Sequence, residues 1–331
     1  MKKFVNDPAK FVPEMLEGIF LANEGKLKYE PKYNLIYRAD RPSKNHVSVI
    51  QGSGSGHEPA HVMTVGPGML DAASPGNVFA APPMEYCLEC IKLMNSPKGV
   101  LVLINNYQGD RMNWDMAIEM AEAEGINVKS FIIDDDVAVQ NSSYTVGRRG
   151  VAGNFFVMKA CGAAAEKGAS LEQLLELAKK VNANVRSMGV ALTSCTPPAK
   201  GKPIFEIGDD EMEVGVGIHG EPGRRREKIK SADAITRELF EAVAHDVPFN
   251  AGDRVAIMVN GLGGTPITEL YVIYAKAHEL AQKAGFKVVR NYVGEYCTSL
   301  EMAGASLTIL RLDAELEALL DAPAETAARI F

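Results

Sequence analysis

Three glycine-punctuated segments carry side chains suited to proton transfer or nucleophilic attack. Gln51-Gly-Ser-Gly-Ser-Gly-His-Glu-Pro59 follows the strand-like Val47-Ser-Val-Ile50. Glycines 52, 54 and 56 let the backbone take positive φ and bring amide groups close to a ligand, which suits a hydroxyl-rich or anionic molecule at the carboxyl edge of a sheet. No Gly-Lys-Ser/Thr ends the loop, so it is not a P-loop, and His57 stands where a dinucleotide fingerprint needs its third glycine. His57 and His61 are spaced as metal ligands on one helix face, but Glu58-Pro59 disfavours a helix before residue 59. A polar contact from His57 to a ligand is the preferred reading, and no metal is expected. Ile104-Asn-Asn-Tyr-Gln-Gly-Asp110 ends a second strand-like run. Asp110 is either a site carboxylate past the strand end or the N-cap of a helix from Met112. In Val214-Gly-Val-Gly-Ile-His-Gly-Glu-Pro-Gly223, His219 lies between glycines 217 and 220 with Glu221 close by. A carboxylate there can fix the imidazole tautomer and leave the other nitrogen as nucleophile or base; the alternative is a turn histidine.

Other signals are weaker. Asp134-Asp-Asp136 ends a strand, but three adjacent side chains cannot face one ion, so loop solvation and capping are expected. Cys87 and Cys90 fall on an amphipathic helix, Pro83 to Met94, and read as buried thiols. Arg148-Arg149 and Arg224-Arg-Arg226 read as solvated surface unless they face a charged partner. Gly261-Leu-Gly-Gly-Thr-Pro266 is a second ligand loop or a tight turn.

The elements that must hold these residues alternate between strand and helix. Strands are expected at Gly99–Ile104, Val128–Ile133, Arg254–Val259 and Lys287–Val293, and helices at Met112–Glu124, Ser170–Met188 and Thr268–Ala284. The pattern predicts two α/β domains with mostly parallel or mixed sheets flanked by helices. The seam is placed at about residues 183–203, giving domains 1–183 and 184–331. Thirty-five basic against 42 acidic side chains over 331 residues give a net charge of −7, which argues against nucleic acid or an anionic membrane as partner. No run of about 18 apolar residues exists to span a bilayer. The N-terminus meets Asp7 and Pro8 before any apolar stretch and is not read as a signal peptide. Five scattered cysteines fit reduced thiols and a cytoplasmic location.

Together the motifs resemble the dihydroxyacetone kinase substrate-binding (K) subunit family, of the phosphotransferase-system-dependent type, over essentially the whole chain. The matching segments are Gly54-Ser-Gly-His-Glu-Pro59, Asn106-Tyr107 with Gly109-Asp110, Ile133-Asp-Asp-Asp-Val-Ala-Val139, Tyr144-Thr145, Gly147-Arg-Arg-Gly-Val-Ala152, Glu213 to Gly223, Gly252-Asp-Arg-Val255 and Tyr296-Cys-Thr-Ser-Leu300. The resemblance implies the K-domain fold and a His219 that adds to the substrate ketone as a hemiaminal. It also implies that His57 and Asp110 bond the substrate hydroxyls and help remove the proton as the terminal oxygen attacks phosphorus. Gly54, Ser55 and Gly56 would supply loop contacts, and Asn105 stands where family members commonly have a substrate-contacting lysine. Ala80-Ala-Pro-Pro-Met84 likewise replaces a more polar stretch. These two departures raise two alternatives: a kinase subunit for a larger ketose such as a tetrulose, or a catalytically silent sensor that co-activates transcription. The resemblance and the end at Phe331 imply a stand-alone, homodimeric K subunit that binds no cofactor itself. ADP/ATP and Mg²⁺ would lie on a separate L subunit, recharged by a phosphohistidine-carrier M subunit.

Overall fold

The computed structural model describes residues 2–140, 147–247 and 249–328, so the Tyr144-Thr145 motif lies outside the described residues. After helix α1 (Phe11–Ala22), the chain builds a six-stranded mixed sheet. Its strands are β1 (Leu27–Glu30), β2 (Leu35–Arg38), β3 (Ser48–Gln51), β4 (Ala72–Ala73), β5 (Val100–Asn105) and β6 (Val128–Ile133). They lie in the order β1-β2-β4-β3-β5-β6. The segment from β4 to β6 is parallel, whereas β1 and β2 run antiparallel. Helices α2 (Met84–Met94) and α3 (Gln108–Ala123) make the crossovers, as parallel neighbours require.

Helices α4 (Asn154–Glu166) and α5 (Leu171–Asn184) lead to a second six-stranded sheet. It comprises β7 (Val185–Ala191), β8 (Glu211–Val214), β9 (Arg225–Lys228), β10 (Arg254–Gly261), β11 (Lys287–Gly294) and β12 (Gly304–Leu312), in the order β11-β10-β12-β7-β8-β9. Only β10 and β11 pair in parallel. Both sheets are therefore mixed. Helices α6 (Ala232–Asp246), α7 (Ile267–Lys283) and α8 (Ala314–Leu320) complete the described residues.

Side-chain alternation sets the layers. On β5, Val100, Val102 and Ile104 pack with α2 and α3, while Leu101 and Leu103 join the core around α4 and α5. On β10, Val255, Ile257 and Val259 meet α6 and α7, and Ala256 and Met258 face that same central core. Helix α4 is buried on every side from Asn154 to Ala165, the signature of a helix enclosed between layers. Burying each of Phe155, Phe156, Val157 and Met158 contributes about 1.5–3 kcal/mol relative to exposure. Gly162 is obligatory here, because a Cβ would lie 2.2 Å from the Met69 carbonyl oxygen. The helix expected through Met188 stops at Asn184, and Val185 opens β7 instead. The apolar side chains of 181, 185 and 188 keep helical spacing, but pairing with β12 prevails over it.

The two sheets bring loops together at one place. The glycine loop after β3 is tied to the β11–β12 loop by Thr298 N–H to His57 O at 3.1 Å and Leu300 N–H to Gly56 O at 2.8 Å. This junction is where the three chemistry-bearing segments meet.

Candidate active site

The glycine loop leaves β3 under tight constraint. A Cβ on Gly54 would sit 2.8 Å from Ala80 N, and Gly56 has φ +98°, so neither position accepts a larger residue without strain. Trp114 of α3 donates its indole N–H to the Gly52 carbonyl at 2.8 Å, anchoring the loop from below. Ser55 gives its hydroxyl hydrogen to Gly76 O at 2.7 Å and its amide to Asn77 O. Gly56 N–H is held by the Glu58 carboxylate. These two residues shape the loop, and neither lines the adjoining cavity.

His57 and His219 face each other across the junction, with their Nε2 atoms 3.0 Å apart. His57 Nδ1 lies 2.8 Å from the Thr298 carbonyl oxygen, which can only accept, so Nδ1 carries hydrogen and Nε2 offers a lone pair. Burial, reinforced by the neighbouring His219, holds the His57 pKa well below its ordinary value. His219 Nδ1 lies 3.0 Å from Glu221 Oε1, and His219 N–H donates to Oε2 at 2.9 Å. Burial would raise the Glu221 pKa, but His219 and then Arg149 outweigh it and lower it to about 2. With a carboxylate on one nitrogen and a lone pair before the other, the contact is satisfied by one proton bridging the two Nε2 atoms. Phe79 stacks on His57 with ring centroids 5.2 Å apart, and Tyr107 sets its ring at 83° to His219 at 4.5 Å.

Asp110 is not an N-cap. Helix α3 starts at Gln108 with Tyr107 as its cap residue, so Asp110 falls inside the first turn. Its Oδ2 accepts from Ser53 Oγ at 2.8 Å, and Oδ1 has no partner among the described residues. Burial raises its pKa to about 7, against the opposing pull of the Ser53 hydrogen bond and His219. Ser53→Ala removes a donor that favours the ionised form. It is expected to move the acid limb of turnover up by roughly half a unit to one unit, the worth of one neutral hydrogen bond. A kcat–pH profile checks this, and an unmoved or lowered limb would contradict it.

A cavity of about 810 Å³ opens beside these groups. Gly54, Phe79, Tyr107, Asp110, His219 and Glu221 line it, together with Lys200, Ile204 and Phe205 from the segment before β8. Of the predicted site residues, His219, Asp110 and Gly54 reach the cavity wall, and His57 sits behind His219. Asn105 does not line it. That side chain is fully buried, accepts from Gln51 Nε2 at 3.2 Å, and its Nδ2 has no partner among the described residues. No trio of metal-ligating side chains among the described residues includes His57 or His61.

Several weaker expectations need correction. Asp135 and Asp136 are buried rather than solvated: Asp135 accepts from Val151 and Gly153 amides, and Asp136 pairs with Arg149. Arg149 is likewise fully buried, and Arg148 forks onto Asp246. Arg224, Arg225 and Arg226 are exposed, as expected, and Arg224 also donates to the Val137 and Ala138 carbonyls. Gly263 is a packing position, where a Cβ would meet Leu300 O at 1.7 Å. Cys87 and Cys90 are buried free thiols, as expected.

Comparison with known proteins converges on one group. A family model described as the Dak1 domain matches residues 17–328. The chain is 48% identical over 316 residues, 95% of each protein, to the PTS-dependent dihydroxyacetone kinase 1, dihydroxyacetone-binding subunit DhaK of Listeria innocua. A solved dihydroxyacetone kinase operon co-activator, DhaQ, superposes with a TM-score of 0.91 at 36% identity, covering 96% of this chain and 98% of its own. The dihydroxyacetone kinase from C. freundii in complex with AMP-PNP and Mg²⁺ gives 0.88 at 32% identity, covering 98% of this chain but 60% of that one.

Proposed function

The chain belongs to the Dak1 domain family, and from that premise we propose that it is the dihydroxyacetone-binding subunit of a multi-subunit kinase that captures the ketone covalently on His219. The observation that carries this reading is the imidazole pair: Glu221 occupies His219 Nδ1, so Nε2 is its reactive atom, and His57 Nε2 stands 3.0 Å away to receive a proton.

His57 takes the bridging proton, which exposes the His219 Nε2 lone pair. That pair forms a bond to the ketone carbon while the carbonyl π electrons move to oxygen, and His57 returns the proton to that oxygen. The ring charge that results is offset by Glu221 through Nδ1–H. Glycerol has no electrophilic carbon and is excluded. The Asp110 carboxylate then accepts the proton of the terminal hydroxyl as its oxygen bonds to phosphorus, while the bond from phosphorus to the nucleotide oxygen breaks and its electron pair leaves with the nucleotide.

The phosphoryl donor is a nucleotide with Mg²⁺ on a separate L subunit, recharged by an M subunit. The word "subunit" in the Listeria relative's name supports this, as does the portion of the AMP-PNP-bound kinase outside the match. On this reading the protein is a homodimer in the cytoplasm, as the resemblance implies. Among the described residues no helix is long and apolar enough to cross a membrane. The purified chain with ATP and Mg²⁺ is therefore expected to form no triose phosphate until an L subunit is added, and turnover by the chain alone would contradict that division.

The co-activator that shares the fold gives the silent-sensor alternative its footing. Phosphorylation of a panel of short ketoses by this chain with its L subunit separates the readings. The account expects dihydroxyacetone to be preferred. Preference for a tetrulose would favour the larger-ketose alternative, and ketone binding without phosphoryl transfer would favour the sensor.

A further inference from the structure

Behind Glu221 lies an ion pair that the proposed steps do not use. Arg149, in the segment leading to α4, and Asp136, in the segment after β6, are both fully buried. Arg149 Nε donates to Asp136 Oδ2 at 2.7 Å, its Nη2 lies 2.6 Å from the same carboxylate oxygen and donates to Gly215 O at 2.7 Å, and its backbone carbonyl accepts from Asp136 N–H at 3.0 Å. Two edges of the guanidinium are thus fixed. The remaining nitrogen, Nη1, has no partner among the described residues.

Gly217 shows where that nitrogen stands. A Cβ there would lie 2.1 Å from Glu221 Oε2 and 2.7 Å from Arg149 Nη1, so carboxylate and guanidinium flank a bare Cα, near neighbours with no ion pair between them. Any side chain at 217 would separate them. Glu221 in turn holds both His219 N–H and His219 Nδ1. The order in space is Asp136, Arg149, Glu221, His219.

We propose that Arg149, braced by Asp136, is a positioning residue whose charge behind Glu221 tempers the pull of that carboxylate on His219, so that the ring gives up its Nε2 proton and presents that nitrogen as the reacting atom. Its consequence for catalysis rests on the His219 reading above, while its effect on the imidazole does not. The groups facing His219 are His57 and His61 from the glycine loop, Tyr107 and Asp110 from the start of α3, and Glu221 from its own turn. Among these the guanidinium acts by partly neutralising Glu221. Without it the carboxylate stabilises imidazolium more strongly, and neutral His219 appears only at higher pH.

The test is the double variant Asp136→Asn/Arg149→Met, which removes both charges and leaves neither buried alone. The His219 ring is titrated by ¹⁵N NMR without ligand. The titration midpoint should rise by about one unit or more. A folded double variant whose midpoint and ring shifts match wild type would overturn the proposal. If the double variant does not fold, Asp136→Asn/Arg149→Gln is read the same way. Its amides can still bond each other while both charges are gone, so the midpoint still rises, and an unmoved one overturns the proposal. Because the ring titration uses no ligand, a wild type that forms no adduct would sink the covalent reading and leave this test standing.

Discussion

His219→Ala is expected to abolish covalent capture of dihydroxyacetone and to lower turnover on the order of 10³-fold or more, because it deletes the bond-forming atom. Folding should survive. His219 sits in a turn rather than in a core cluster, and its side chain keeps 13% exposure. Removing it leaves Glu221 with its charge and one backbone donor, and leaves His57 bonded to Thr298. Intact-protein mass spectrometry after rapid desalting should show one triose added to wild type and none to the variant, with melting temperatures within a few degrees. Equal mass gain in both proteins would remove His219 from the chemistry.

The second large effect is at Asp110, where one substitution separates charge from shape. Asparagine keeps the volume and still accepts from the Ser53 hydroxyl, but it takes no proton at neutral pH. Positioned acid–base groups contribute about 10²–10⁴-fold in rate, so kcat of Asp110→Asn with saturating L subunit should fall at least about a hundredfold. Stability should move the other way. The folded-state pKa is raised to about 7 from the ordinary 3.8. Between those values the folded protein holds the proton while the unfolded chain has lost it, so wild-type stability declines as pH rises through that window. A neutral amide escapes the decline, and the variant's melting temperature at pH 7 should equal or exceed wild type. Near-normal turnover would leave Asp110 a structural residue. A loss of turnover in a stable protein makes it catalytic.

How much of this was legible beforehand follows from the range of the interactions. Strands β5 and β6 are local apolar runs ending in polar residues, and their extents come within a residue of expectation. His219 and the glycine loop announce themselves through flanking glycines, which the junction requires for close approach. Helix α3 begins four residues earlier than expected, and that shift alone turns Asp110 from a cap into a buried carboxylate. Helix α4 and strand β12 are less visible, because one is apolar all round and the other is specified by antiparallel partners 44 and more residues away. The Asp136–Arg149 pair had the composition of a surface. Its burial depends on α4 and on the turn at Gly215 to Gly217, which no local pattern reveals. Tyr107 and Phe79 were visible only as motif neighbours, whereas their rings enclose the two histidines.

Capture on His219 requires a bond between its Nε2 and the substrate ketone carbon. Protein labelled with ¹⁵N-histidine, mixed with [2-¹³C]dihydroxyacetone, reports that bond directly by NMR. The carbonyl resonance of bound ligand should move to the tetrahedral region and show one-bond ¹³C–¹⁵N coupling, which is lost in His219→Ala. A saturated site whose ligand keeps a trigonal carbonyl carbon, or a tetrahedral carbon with no coupling to nitrogen, would contradict it.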